Sequence, residues 1–392
     1  MSEQTKPKYG IMVQVTTLVV ALLMYTTSMT TPALSAIQEA FPNAAAETVK
    51  LISSIPSLML CVFSLVSGWM TTKLSIKKCI KFSSVLILVG ILPAFFGGME
   101  FIIFTRVVFG AGYGLIFPLA SAVVTDLFEG AKKDAMMGWK SAIGALAGVV
   151  FQTLGGVLTS YSWRYSFLGF LLVIPILIMV VIFLPDTGVQ SKKGGAKSSG
   201  KFTKGLAVCF VVGFLLNVVQ FSFMQDMSFV VTGEKLGGAL DAANVLSTFT
   251  AFSFVAGLIY VLFAKVFKRF APVIAILLVG AAFAIAVAAP SLPVLFAAAV
   301  VFGLGFGFTN PALTLKAASC VTEPSKTPMA ISIYVCGTGV GQFLSAYILK
   351  FVTGALNLTG SRADWQVASV AISTGCVIGF IALIFVKPKK SA

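Results

Sequence analysis

Hydrophobic residues in this chain come in blocks rather than in alternation with polar ones. Near-continuous apolar runs cover 11–34, 48–71, 79–97, 101–125, 135–158 and 164–184, and a second set covers 205–231, 239–264, 271–289, 294–316, 328–353 and 366–386. About 20 such residues in helical form cross the hydrocarbon core of a bilayer, where every backbone amide must be satisfied within its own segment. Twelve blocks of that size predict an all-α membrane protein with twelve transmembrane helices. The gaps between blocks are short, with one exception. Residues 185–204, centred on Ser191-Lys-Lys-Gly-Gly-Ala-Lys-Ser-Ser-Gly200, have nothing to bury and predict a flexible basic linker. The predicted organisation is therefore a six-helix bundle over 1–184, a cytoplasmic linker over 185–204 and a second six-helix bundle over 205–392.

Charge turns the blocks into a topology. Lys and Arg number 28 against 13 acidic residues, a net charge of +15. In a soluble protein that excess would suggest a nucleic-acid partner; here it falls in the gaps, where positive charge fixes which side of the membrane a loop occupies. The N-terminal tail, the C-terminus and the gaps after the even-numbered helices hold 22 of the 28 basic residues, among them Lys73, Lys77, Lys78, Lys132, Lys133, Lys140, Lys192, Lys193, Lys265, Lys268 and Lys316. The alternation predicts a multi-pass protein of a cell membrane, the inner membrane in a bacterium, with both termini cytoplasmic. The polar start Met1–Gly10 leads into a run longer than a signal-peptide core, so the first helix is expected to stay attached.

The two halves repeat. Val107-Val-Phe-Gly110-Ala-Gly112-Tyr113-Gly114, with Pro118, recurs as Val300-Val-Phe-Gly303-Leu-Gly305-Phe306-Gly307, with Pro311, at a constant offset of 193. The same offset carries Gly144 onto Gly337 and Gly148 onto Gly341. Parallel six-helix repeats are a plan of secondary transporters, and glycines at such spacing let membrane helices approach closely.

Candidate chemistry is sparse. Histidine is absent, so no histidine-based metal site, catalytic triad or proton relay is expected. The six cysteines stand singly, without metal-ligand or redox spacing, and read as buried small hydrophobes. No Gly-rich phosphate loop is present, which argues against ATP as a driver and, with the lack of a nucleophile set, against an enzyme. Two charges lie well inside apolar runs, where they are costly: Arg106 and Asp226. Each reads either as a group in a water-filled cavity or as a side chain reaching back to the interface. At 100° per residue Arg106, Gly110, Tyr113 and Phe117 share one face of helix 4, and Asn310 is the repeat position of Phe117. On helix 7 Asn217, Gln220 and Met224 align, with Asp226 nearly opposite; on helix 5 Ser141, Ala145, Gly148 and Gln152 align. Tyr25 lies in an unusually polar stretch, Tyr25-Thr-Thr-Ser-Met-Thr-Thr-Pro32. Substrate contact and structural hydrogen bonding between helices fit these amides and hydroxyls equally well.

These stretches resemble the major facilitator superfamily, especially its bacterial twelve-helix drug and sugar efflux branch. Arg106-Val-Val-Phe-Gly110-Ala-Gly112-Tyr-Gly114 is similar to the helix 4 motif whose arginine is linked to proton coupling. Pro32-Ala-Leu-Ser-Ala-Ile-Gln-Glu-Ala-Phe41 and Ser162-Trp-Arg-Tyr-Ser-Phe167 resemble the family's helix 1 end and helix 6 start. Gly68-Trp-Met-Thr-Thr72-Lys-Leu-Ser75-Ile-Lys-Lys78 resembles the loop 2–3 signature, with Thr72 at its aspartate position and Ser75 at its second glycine. In the helix 5 antiporter motif Phe151-Gln152 stands where Gly-Pro is usual. The resemblance implies the major facilitator fold and proton-coupled efflux of small amphipathic molecules by alternating access, with a small-molecule substrate, protons and the lipid bilayer as partners. A monomer without cofactor or metal is expected. Tyr25, Tyr113, Phe117, Gln152, Asn217, Gln220 and Asn310 are the expected cavity residues, and Arg106 and Asp226 the coupling or gating pair. A nutrient importer and a non-transporting receptor or scaffold are the alternatives.

Overall fold

The computed structural model describes residues 9–189, 204–320 and 327–385. The basic tails, Lys326 and Lys192, Lys193, Lys197 and Lys201 of the linker lie outside the described residues. Among the described residues there are twelve helical segments and no strand. In chain order these are α1 (Ile11–Ala40), α2 (Ala46–Met70), α3 (Ile76–Leu88 continued by Val89–Ala94), α4 (Met99–Leu127), α5 (Gly130–Tyr161) and α6 (Tyr165–Phe183). Then follow α7 (Lys204–Gly233), α8 (Ala239–Phe267), α9 (Ala271–Ala288), α10 (Leu292–Ala318), α11 (Thr327–Ala355) and α12 (Ala363–Phe385). The chain divides into two compact units, Met1–Lys197 and Ser198–Ala392.

Local chemistry explains the boundaries. Pro272 and Pro293 sit in the first turns of α9 and α10, where the missing N–H costs nothing. Asp241 folds back in the first turn of α8 to accept the Gly238 N–H at 2.8 Å. Helix α1 is interrupted: Val20–Met29 and Thr31–Ala33 take the tighter 3-10 winding. Its threonines satisfy themselves on their own backbone, with Thr26 donating to the Leu23 carbonyl at 2.9 Å. Helix α5 begins five residues before its apolar run. Lys132 and Lys133, assigned from sequence to a loop, are thus helical residues, and further along α5 the Lys140 ammonium donates to the Ser121 hydroxyl of α4. An amphipathic first turn and a loop look alike in sequence, because both are polar.

Within each unit the same pairs pack: α2 and α3 against α4, and α1 against α5; then α8 and α9 against α10, and α7 against α11. The repeated glycines make these seams. A Cβ at Gly110 or Gly114 would come within 2.8 Å of Met59 or 2.7 Å of its carbonyl on α2, and one at Gly112 within 2.7 Å of the Ser83 carbonyl on α3. Their repeat partners do the same. A Cβ at Gly303 would come within 2.5 Å of the Phe249 carbonyl on α8, one at Gly307 closer still to the Ser253 carbonyl, and one at Gly305 within 2.8 Å of Val279 on α9. No side chain larger than hydrogen fits such backbone-to-backbone crossings.

The second unit adds an aromatic core. Phe223 stacks on Phe302 with ring centroids 4.1 Å apart and meets Phe283, Phe249 and the fully buried Trp365. The Trp365 indole N–H donates to the Ser222 carbonyl at 3.3 Å, so this large ring buries no unpaired donor.

Candidate functional site

Arg106 projects from α4 towards α3 and α6, and its side chain is completely buried. Its Nη2 donates to the Gly90 carbonyl at 2.8 Å. That carbonyl is available for a sequence reason. Residues Val89–Ala94 wind as a 3-10 helix, in which the partner of residue 90 is residue 93, a proline without an N–H. Gly90 also gives the guanidinium room, since a Cβ there would stand 3.0 Å from Nη2. The rings of Phe109, Phe167 and Phe170 surround the cation with centroids 4.7, 5.0 and 5.0 Å from its Cζ. Nε and Nη1 have no hydrogen-bond partner, and among the described residues no carboxylate reaches the group. Arg106 thus sits fully enclosed in an aromatic cage, without reaching back to an interface. The stripe of Arg106, Gly110, Tyr113 and Phe117 along α4 meets different helices at different heights. Gly110 packs on Met59 of α2, Arg106 on α3 and α6, and Tyr113 on α1. In a bundle with neighbours on all sides, side chains at different heights of one helical stripe meet different helices.

Tyr113 and Tyr25 do come together within the first unit. Tyr113 lies near Tyr25 and Thr27 of α1, and Tyr25 packs so closely over Gly144 of α5 that a Cβ there would meet its ring at 2.5 Å. Phe117 lies one turn along α4, its ring edge-on to Tyr113 at 6.0 Å and 37% exposed. Gln152 on α5 is buried.

In the second unit α7 carries the polar cluster. Asn217 donates to the Gly213 carbonyl at 2.9 Å and accepts from Gln342 of α11 at 3.0 Å. Ser345 of α11 donates to the Val218 carbonyl at 2.6 Å. Gln342 and Ser345 escaped the sequence reading; their spacing of three on a glycine-bearing helix was the available signal. Gln220 is buried, and its side-chain Nε2 has no hydrogen-bond partner. Asn310 of α10 is half-buried and makes one long bond to the Phe306 carbonyl, 3.4 Å. Asp226 is buried as well, 2% exposed.

Two structural charges lie at helix ends. Arg362, in the connection from α11 to α12, donates through Nη1 to the carbonyls of Ala286, Val287 and Ala289 at 3.0, 3.0 and 2.7 Å, and holds Glu234 with its other two nitrogens. Its counterpart between α5 and α6 is Arg164, whose Nη1 donates to the Pro93 carbonyl at 3.2 Å. Both arginines close the C-terminal end of the third helix of their unit. Past the end of α6, Asp186 lies beside Ser75 of the loop 2–3 segment. The Ser75 hydroxyl first, then the Gly188 N–H at 3.2 Å and the charges of Lys78 and Lys77, hold its carboxyl below the ordinary range. The segment has Thr72 in place of an aspartate, and the carboxylate of Asp186, past the end of α6, lies near it.

The comparisons with known proteins agree with this architecture. The family described as the Major Facilitator Superfamily matches residues 16–313. The multidrug transporter protein MdtP of Bacillus subtilis (strain 168) is 32% identical over 127 residues, 32% of this chain and 22% of that protein's length. Solved structures share the fold at low identity. The nucleoside transporter NupG superposes with a TM-score of 0.76 at 14% identity, covering 96% of this chain and 100% of that one. A peptide transporter of the POT type, in complex with sulfate, gives 0.76 at 14% identity over 97% and 96%. A bacterial homologue of the human lysosomal transporter Spinster gives 0.68 at 13% identity over 93% and 95%.

Proposed function

The chain belongs to the Major Facilitator Superfamily, and from that premise we propose that it is a secondary active transporter exporting small amphipathic molecules by alternating access, coupled to protons. The multidrug transporter among the relatives supports a drug-like cargo in this reading. In this reading the termini are cytoplasmic and the protein works as a monomer in the cell membrane. Tyr25, Tyr113, Phe117 and Gln152 from the first unit, and Asn217, Gln220 and Asn310 from the second, are the substrate-facing groups. Gln342 joins them as the residue that orients Asn217.

The observation that carries the reading is the Gln220 amide. A buried donor without an acceptor costs about 1–3 kcal/mol, which a hydrogen-bonding substrate would offset. Coupling needs a group that can lose and regain a proton. Arg106 cannot do so at usable pH. Asp226 is a carboxylic acid well inside α7, and we assign it the proton.

Transport in proteoliposomes under an imposed pH gradient, screened against a drug and metabolite panel, tests the proposal. Gradient-driven export of an amphipathic compound, lost in Asp226→Asn, is the expected result. Uptake of a nutrient instead would favour import. Export that survives Asp226→Asn with its pH dependence intact would remove the proton from this residue.

A further inference from the structure

The fold brings together two cysteines that sequence spacing keeps apart. Cys209 stands in the second turn of α7, and Cys320 lies in the turn just past α10. Their Sγ atoms are 3.8 Å apart. Ala317, Tyr334, Leu313 and Val335 pack around them and fix Cys209, which is 7% exposed, against the start of α11. Cys320 is half-buried, so the pair has one closed and one open side. The contrast within the chain is plain. Cys79 and Cys376 are also buried, but their sulfurs approach backbone carbonyls, those of Leu74 and Val273 at 4.0 Å. Cys209 and Cys320 are thus small buried and half-buried groups that also touch each other, a contact their separation in sequence does not suggest.

We propose that Cys209 and Cys320 form a reversible modification site that closes to an intramolecular disulfide on meeting a low-molecular-weight disulfide. The chemistry balances without a metal or cofactor. The more exposed Cys320, as thiolate, attacks one sulfur of the incoming disulfide; that S–S bond breaks, and one thiol leaves with a proton. Cys209 then attacks the Cys320 sulfur of the mixed disulfide and expels the second thiol. Two protein thiols are oxidised, one external disulfide is reduced to two thiols, and no oxygen is consumed. Closing the bond requires the sulfurs to move together from contact distance to about 2.05 Å. Cys320 lies in the turn beyond α10 and is the less buried partner, so that movement falls on its side of the pair. The bond would tie the first helix of the second unit to the end of its fourth. Under reducing conditions the pair stays as thiols; an oxidising shift closes it.

The inference stands on the cysteine geometry alone, so its test reads chemistry rather than transport. Purified protein, full length and in lipid, is exposed to glutathione disulfide, alkylated with N-ethylmaleimide and mapped by peptide mass spectrometry. The expected result is a Cys209–Cys320 linked peptide, two hydrogens lighter than the sum of its parts, as the dominant oxidised species. Dithiothreitol should abolish it, while Cys79 and Cys376 appear alkylated or untouched. In Cys320→Ser no internal linkage should form, and Cys209 should resist glutathione because it is the enclosed partner. Separate glutathione adducts on Cys209 and Cys320, or linkage of either to another cysteine at equal yield, would overturn the proposal.

Discussion

Replacing Arg106 separates two views of this residue: a fold-holding cation and a coupling group. In Arg106→Ala the Gly90 carbonyl loses a charged hydrogen bond, an interaction worth about 1.5–3 kcal/mol. Three ring contacts go as well, and cation–π attraction in a desolvated setting contributes about 2 kcal/mol. Against this stands the relief of removing a buried charge with two unpaired nitrogens. The balance predicts a net loss of about 2–4 kcal/mol, on the order of 5–15 °C in Tm for a bundle of this size. Arg106→Lys keeps the charge but loses the planar fork that lies among the rings, so it should recover less than half of the loss. The assay is a thermal melt in detergent or nanodiscs, run beside transport in proteoliposomes. A wild-type Tm in Arg106→Ala together with abolished transport would refute the argument, because it would show that the cage does not depend on its cation.

Three further outcomes follow from the same packing. Gly307→Ala places a Cβ against the Ser253 carbonyl and should destabilise by about 1–3 kcal/mol, whereas Gly257→Ala on α8, with nothing within 4 Å, should be neutral or stabilising by up to about 1 kcal/mol; paired melts check the opposite signs. Arg362→Ala leaves three carbonyls at the end of α9 without their donor and should cost about 1–3 kcal/mol, while Glu234→Gln, which weakens only the partly exposed ion pair, should cost less than about 1 kcal/mol. The Asp186 carboxyl has a lowered folded-state pKa, so its contribution is complete above the ordinary carboxylate value of about 3.9 and is lost as pH falls through the lowered one; hydrogen exchange of the segment around Ser75 should therefore be flat from neutral pH to about pH 5, after correction for intrinsic rates, and rise only below that range. Exchange that rises between pH 7 and 5 would sink this last expectation.

The twelve helices and the repeat of the two halves were legible because two strong constraints wrote them. A bilayer demands long apolar runs, and backbone-to-backbone crossings demand glycine. The 193-residue register therefore identified not only a repeat but its purpose: Gly110 and Gly303 meet the second helix of their unit, and Gly112 and Gly305 meet the third. Helix ends were less legible. The first turn of α5 is polar, and the last turns of α1 continue past the apolar run to Ala40, since a helix does not need to be hydrophobic where it leaves the membrane.

Side-chain destinations were harder still, and three arginines show why. Arg106 was found by its cost, but its partner is a carbonyl freed by Pro93, a relation between helix winding and a missing N–H that no spacing rule expresses. Arg164 and Arg362 perform the same closure in the two units, yet they are 198 residues apart, so the constant offset of 193 steps over the pair. An insertion of five residues between helices shifts register without shifting geometry, because the connection only has to return its arginine to the end of the third helix. The closure is also unequal. Arg362 holds three carbonyls and Glu234, whereas Arg164 holds one carbonyl and lies over the Trp163 ring at 4.5 Å. If closure strength follows the number of charged bonds, the end of α9 should exchange its amides more slowly than the corresponding end of α3, although both are built on the same plan. Faster exchange at α9 would show that the proline-broken winding of Val89–Ala94, rather than the arginine, sets the stability of these ends.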